Sequence, residues 1–152
     1  MPTLAKNRRA SFDYHILERF EAGIVLSGPE VKSAKAGQVN LSHAYVSVTP
    51  AGQVRLVGCH ITAYPPARRE QHGYDPTAER RLLLQKSEVN RLRGQLQTPG
   101  LTILPLSVYT KGSFVKVELG LARGKQQHDK RAQIRQREVQ REVRSRLRRP
   151  SR

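Results

Sequence analysis

Over residues 13–26 apolar and polar side chains alternate with a period of two. Tyr14, Ile16, Phe20, Ala22, Ile24 and Leu26 fall on one face, and Asp13, His15, Arg19 and Glu21 on the other. That is the signature of a long, half-buried strand. Leu17 and Val25 break the polar face, and Gly23 predicts a bend or bulge. Gly28-Pro29 stops the strand, and residues 30–36 supply about two turns of helix closed by Gly37. Residues 44–48 and 54–62 read as two strands joined by Thr49-Pro50-Ala51-Gly52-Gln53, a hairpin-length turn. Residues 63–77, with Pro65, Pro66, Arg68, Arg69, Gly73 and Pro76, predict a mobile basic loop.

The pattern then changes. Residues 78–96 predict helix. Leu82, Leu83 and Leu84 are too dense for a single amphipathic stripe, and Ser87 is a candidate N-cap for a second helix whose face is Val89, Leu92 and Leu96. After Pro99-Gly100, residues 101–109 and 114–121 form a hairpin across Thr110-Lys111-Gly112-Ser113. Pro105 marks the first of these strands as an edge or bulged strand. In the second, Val115, Val117, Leu119 and Leu121 alternate with Lys116 and Glu118. About five strands interrupted by helices predict a mostly β chain with flanking helices (α+β), a small antiparallel barrel of oligonucleotide-binding (OB) type.

The alternation ends at Gly124. From Asp129 to Arg149 there is no Gly or Pro, and Ala132, Val139, Val143 and Leu147 fall near one helical face. Asp129 at the start and Arg144, Arg146, Arg148 and Arg149 at the end suit the helix dipole, and Glu142 with Arg146 is a favourable i, i+4 pair. Arg131–Arg135, Arg137–Arg141 and Arg144–Arg148 are like-charge pairs at the same spacing and oppose it. The expectation is a tail that is disordered alone and helical against a polyanion, extending about 32 Å when fully helical. The organisation is therefore a basic N-terminal extension (1–11, mobile), a barrel with helices (12–123) and a basic tail (124–152).

Charge decides the class of partner. The net charge is +16, and residues 125–152 hold half of that excess, with 11 Lys/Arg against 3 Asp/Glu. A polyanion is implied, nucleic acid first and an anionic membrane surface second. Lys32 and Lys35 share a helix face, which fits either a solvated surface or a phosphate contact. Aromatic residues are 5% of the chain, with no aromatic cluster on one strand, so readout of RNA shape and backbone is expected over stacking on a sheet.

Candidate catalysis is sparse. His15, His43, His60, His72 and His128 form no His-x-x-x-His pair, and there is no phosphate-cradling loop and no nucleophile elbow. Cys59 is the only cysteine, so no intramolecular disulfide and no zinc cluster is expected. No secretory h-region and no bilayer-length apolar run is read. The expectation is a soluble cytoplasmic protein with no catalytic residues, no metal, no cofactor and no membrane partner.

Several stretches in a fixed order carry a resemblance. These are Asn7-Arg8-Arg9-Ala10, Asp13-Tyr14, Phe20-Glu21-Ala22-Gly23-Ile24, Gly28-x-Glu30-Val31-Lys32-Ser33, Gly37, Asn40-Leu41, Asp75-Pro76, Arg81-Leu82-Leu83-Leu84 and Gly124-Lys125-x-x-His128-Asp129-Lys130-Arg131. Together they resemble the SsrA-binding protein (small protein B) family, bacterial partners of transfer-messenger RNA (tmRNA), over about residues 7–135. The resemblance implies an OB-type barrel, acting as a monomer, that binds the tRNA-like domain of tmRNA and replaces its missing anticodon arm. It also implies trans-translation: rescue of stalled ribosomes, with the tail in the decoding centre of 16S rRNA and the empty mRNA channel, and no enzymatic activity. By motif position, Glu21 and Leu83 match tmRNA-binding residues, and Lys32, Lys35 and Asn40 lie in matching motifs. Lys125, His128, Asp129, Lys130, Arg131 and Arg135 fall in the ribosome-directed part. Gln126 and Gln127 stand where many relatives carry a basic residue. The other readings are a structural ribosomal or general RNA-binding protein, and an RNA-modifying or RNA-cleaving enzyme.

Overall fold

The computed structural model describes residues 2–64, 73–125 and 127–148, with side chains of 127–130, 132, 133 and 145–148 left out. In chain order the elements are β1 (Thr3–Lys6), α1 (Arg8–Asp13), β2 (Tyr14–Ile24), α2 (Gly28–Lys35), β3 (Val39–Asn40), β4 (Tyr45–Val48), β5 (Val54–Val57), β6 (His60–Ile61), β7 (Arg80–Leu83), α3 (Lys86–Gln95), β8 (Leu101–Lys111), β9 (Phe114–Gly124) and α4 (Gln127–Arg148). Strands β8, β4, β5, β7, β2 and β9 pair in that order, and β9 pairs back onto β8, which closes an antiparallel barrel. Closure leaves these strands without an open edge between them. The expected barrel with flanking helices is therefore the fold, with six strands in the ring.

Strand β2 behaves as its pattern predicts. Phe20 and Ala22 are buried while Glu21 is exposed, and Leu17 sits outside at 51% exposure. Its irregularity lies between Ile16 and Glu18 rather than at Gly23. The core combines Phe20 and Ala22 with Leu56, Leu82, Ile103, Val117 and Leu119, and Leu92 of α3 closes it with Val89 and Leu96 packed alongside. A smaller cluster of Ala10, Leu104 and Ala122 lies under α1. Pro105 is buried inside β8, and the bulge between Pro105 and Ser107 accommodates it.

Three expectations are corrected. Residues 78–84 are not helical. Arg80 and Leu82 point inward and Arg81 and Leu83 outward, a period of two, and β7 fills the gap between β5 and β2. Leucine favours helix only weakly, and the pairing of Val54 with Leu82 and Gly23 with Leu83 overrides that preference. The helix that follows starts at Lys86, with Gln85 as its N-cap and Ser87 inside it. The strand expected over residues 54–62 breaks at Gly58. Its φ is +78°, and a Cβ there would lie 2.7 Å from the His43 carbonyl oxygen. The N-terminal stretch expected to be mobile instead forms β1, paired with β8 through Lys6 and Ser107, and α1, capped by Asn7. Residues 65–72 of the expected basic loop lie outside the described residues.

The tail forms α4. Its apolar residues Ile134, Val139 and Val143 are exposed, so among the described residues no buried apolar stripe holds the helix to the barrel, although Arg137 lies 5.9 Å from the Phe12 ring centroid. Ala132 and Leu147 of the expected stripe have side chains outside the described set.

Candidate nucleic-acid interface

Glu21 stands on the outer face of β2. The Tyr109 hydroxyl donates to one of its carboxylate oxygens, and Lys111 Nζ donates to the other at 3.3 Å. The tyrosine bond, and then Lys111, hold the Glu21 carboxyl below its ordinary value against partial desolvation. Desolvation, and then the same bond, push the Tyr109 hydroxyl up. The carboxylate is thus ionised and oriented, with its cation beside it. A carboxylate in this state is suited to accept hydrogen bonds from base amino groups or ribose hydroxyls and unsuited to face a phosphate directly.

Next to Glu21 the surface changes character. Gly23 pairs with Leu83 of β7, and a Cβ on Gly23 would lie 3.4 Å from Leu83 Cβ and 3.8 Å from Lys116 Nζ. The missing side chain leaves Leu83 standing 52% exposed beside a lysine. Lys116 Nζ lies 5.9 Å from the ring centroid of Phe114, itself 69% exposed. Leu83 is therefore not a core residue; Leu82 occupies the core instead.

The helix carrying the candidate lysines is anchored from below. Ser27 and Glu30 cap α2 reciprocally. Glu30 Oε2 also accepts from Arg80 Nε at 2.8 Å, and Arg80 is 3% exposed. Every guanidinium donor is used: Arg80 donates to the carbonyls of Cys59 (2.6 Å), Ala78 (3.1 Å) and Pro76 (2.8 Å) and to the Tyr74 hydroxyl (3.1 Å). Burial raises the Glu30 carboxyl, but the Ser27 N–H and Arg80 outweigh it, and the net position is below the ordinary value. On the outer side Lys32 and Lys35 are exposed, and Lys32 Nζ lies 5.7 Å from the Tyr64 ring centroid. Asn40 Oδ1 accepts from the Ser42 N–H at 2.9 Å. Among the described residues no hydrogen bond or ion pair joins Lys32, Lys35 or Asn40 to Glu21 or Leu83.

The arm leaves from the opposite end of β2. Tyr14 pairs with Gly124, the Lys125 N–H donates to the Asp13 carbonyl at 2.8 Å, and Lys125 Nζ donates to the Ser11 carbonyl at 3.0 Å. His128, Asp129 and Lys130 lie in the first turn of α4, with side chains outside the described residues. Arg131 and Arg135 are exposed on α4. Glu21 and Tyr14 are seven strand positions apart, about 23 Å.

Little else invites chemistry. His15, His43 and His60 are exposed on separate elements, and no metal-binding cluster occurs among the described residues. Burial pushes the Cys59 thiol up to about 11, which leaves it a poor nucleophile at neutral pH. No helix among the described residues is long and apolar enough to cross a membrane.

Comparison with known proteins decides the family. The model of the SmpB protein family matches residues 4–149. The chain belongs to the SmpB protein family. Within that family it is similar to the SsrA-binding protein of Thiobacillus denitrificans, 49% identical over 92% of this chain and 93% of that protein. It is also similar to that of Carboxydothermus hydrogenoformans, 44% identical over 95% of each. A solved chain from "tmRNA-SmpB: a journey to the center of the bacterial ribosome" superposes with a TM-score of 0.66 at 42% identity, over 84% of this chain and 87% of that one.

Sequence reasoning missed Tyr109, Lys111, Phe114 and Lys116 as neighbours of the Glu21 site. The signal present was local: two aromatic residues and two lysines at the turn end of the last hairpin. The pairing of β9 against β2 and β8, which places them beside Glu21, joins residues about ninety positions apart.

Proposed function

We propose that this protein binds the tRNA-like domain of tmRNA and works with it on stalled ribosomes in trans-translation, replacing the anticodon arm. The observation that carries this reading is the placement of two separate surfaces on one strand. One end of β2 presents the oriented Glu21 carboxylate with exposed Leu83, and the other end fixes the start of the basic arm. A rigid strand between them sets the distance between an RNA held by the barrel and a second RNA reached by the arm.

In this reading Glu21 and Leu83 contact tmRNA, and Lys32, Lys35 and Asn40 extend that contact from α2 and β3. Lys125, His128, Asp129, Lys130, Arg131 and Arg135 serve the decoding centre, and α4 follows the empty mRNA channel. The barrel occupies 12–123, between a basic N-terminal extension (1–11) and a tail (124–152) that folds fully only against RNA. The protein acts as a cytoplasmic monomer without a cofactor, and it is an adaptor, not an enzyme.

The test removes residues 125–152. The truncated protein retains most of its affinity for tmRNA and loses tagging of stalled products. Loss of tmRNA affinity on truncation would refute the division between barrel and arm. Sequencing of RNA co-purified with the intact protein should enrich one tRNA-like species; a spread across all ribosomal RNA would favour a structural ribosomal role.

A further inference from the structure

The arm meets the barrel at three consecutive residues of α1. At its root, the Lys125 N–H donates to the Asp13 carbonyl at 2.8 Å, and Lys125 Nζ donates to the Ser11 carbonyl at 3.0 Å. Between those two acceptors stands Phe12, half-buried near the end of α1. Farther out, about 15 Å along α4 from Gln127, the exposed guanidinium of Arg137 lies 5.9 Å from the Phe12 ring centroid. The apolar residues that follow it, Val139 and Val143, are exposed.

The two attachments differ in kind. Lys125 continues a paired strand, since Gly124 beside it is in register with Tyr14, and its N–H bond is part of the backbone. It is a fixed pivot. Arg137 is held by a ring face, an attraction that at an exposed site gives about a two- to fivefold preference for the contact. The same arginine belongs to a cationic stripe. Arg137, Arg141 and Arg144 stand at i, i+4 and i+7 and line one groove of α4 together with Gln140. A guanidinium binds phosphate through paired, charge-assisted hydrogen bonds, but binds a phenyl ring only through the ring's quadrupole. A polyanion that engages Arg141 and Arg144 therefore also draws Arg137 off the ring.

We propose that Phe12 and Arg137 form a releasable clasp, which parks the arm beside α1 in the free protein and opens when RNA phosphate takes the arginine. The arm then swings about Lys125. The clasp is an autoinhibitory contact: it weakens binding of RNA to the arm by the same factor as RNA weakens the clasp. The release step rests on the RNA-binding reading above; the resting contact does not.

The test uses the full-length protein. Cys59 is the only cysteine, is 1% exposed and has its thiol pushed up to about 11, so a nitroxide attached through Val143→Cys labels the arm alone. Without RNA, the label should broaden one fixed set of barrel amides around α1. Phe12→Leu keeps an apolar side chain of similar size and removes the ring, and Arg137→Gln removes the charge. Each should lower the ratio of clasped to open arm, read from that broadening, by about two- to fivefold, and the two together should do no more than either alone. Saturating wild type with a short oligouridylate should give the same loss. Phe12→Leu should also bind oligouridylate more tightly, by up to the same factor, as read from the arm amides. Broadening that is identical in wild type and both variants overturns the clasp. Broadening that survives saturation with RNA, or weaker RNA binding by Phe12→Leu, overturns the release. A clasp present without RNA, in a protein whose arm has no affinity for oligouridylate, would sink the RNA-binding reading of the arm and leave the resting contact standing.

Discussion

Replacing Arg80 by methionine tests the network that fixes α2 to the barrel. Methionine spans much of the same length but donates nothing. Glu30 Oε2 then loses its 2.8 Å partner, and the carbonyls of Cys59, Ala78 and Pro76 lose theirs. Removing one member of a buried ion pair costs about 3–5 kcal/mol, because the other charge stays behind. Glu30 is 12% exposed and still accepts the Ser27 N–H at 3.0 Å, which places the cost near ~3 kcal/mol. For a chain of this size that lowers the melting midpoint by about 10 °C. A domain stable by about 5–15 kcal/mol remains folded in most of that range.

The loss should also depend on pH. The folded-state pKa of Glu30 lies below the ordinary 4.5. Its stabilisation is therefore complete above the unfolded-state value and is lost as pH falls through the folded one. Wild type has this contribution and Arg80→Met has little of it, so the gap between the two proteins narrows below pH 4.5. Urea unfolding followed by tyrosine fluorescence reads this well, because the chain has five tyrosines and no tryptophan and α4 does not contribute. A cost under ~1 kcal/mol at neutral pH, the value of an exposed pair, would refute the argument. So would strict additivity of Arg80→Met and Glu30→Gln in a double-mutant cycle.

Three further substitutions and one fragment probe other parts of the molecule. Leu82→Ala should cost about 2–5 kcal/mol by opening the core, whereas Leu83→Ala should stay within ~0.5 kcal/mol and weaken tmRNA binding instead; parallel denaturation and RNA-binding curves decide, and equal stability losses would contradict the inward and outward assignments. Tyr109→Phe removes the strongest influence on Glu21, so an NMR titration should show the Glu21 carboxyl rising toward its ordinary value; an unchanged titration would show that the hydroxyl does not hold it. A peptide of residues 125–152 should be mostly coil by circular dichroism in plain buffer and gain helix on addition of RNA, and a stable helix in buffer alone would contradict the view that the exposed stripe of Val139 and Val143 cannot sustain α4.

The residues that were legible from sequence owe this to local rules. The alternation along β2 follows from one buried and one solvated face, and the Val115-to-Leu121 alternation of β9 follows from the same cause. The closure of α2 at Gly37 and the boundary at Gly124 are set by neighbouring residues. The leucine triplet was not legible. Its residues suit a helix or a strand, and only the vacancy between β5 and β2 selects the strand that turns Leu83 outward and Arg80 inward. Arg80 itself carried no sequence signal, since an arginine looks like one more surface cation until its acceptors, contributed by positions 30, 59, 74, 76 and 78, surround it.

The amino-acid sequence by itself determined a basic barrel protein with a charged arm, because periodicity, turn residues and charge act over a few positions. Tertiary structure alone decided which groups share a surface. Tyr109 reaches Glu21 across 88 positions and Lys125 reaches Ser11 across 114, and such contacts depend on strand register and barrel closure, which no local pattern encodes.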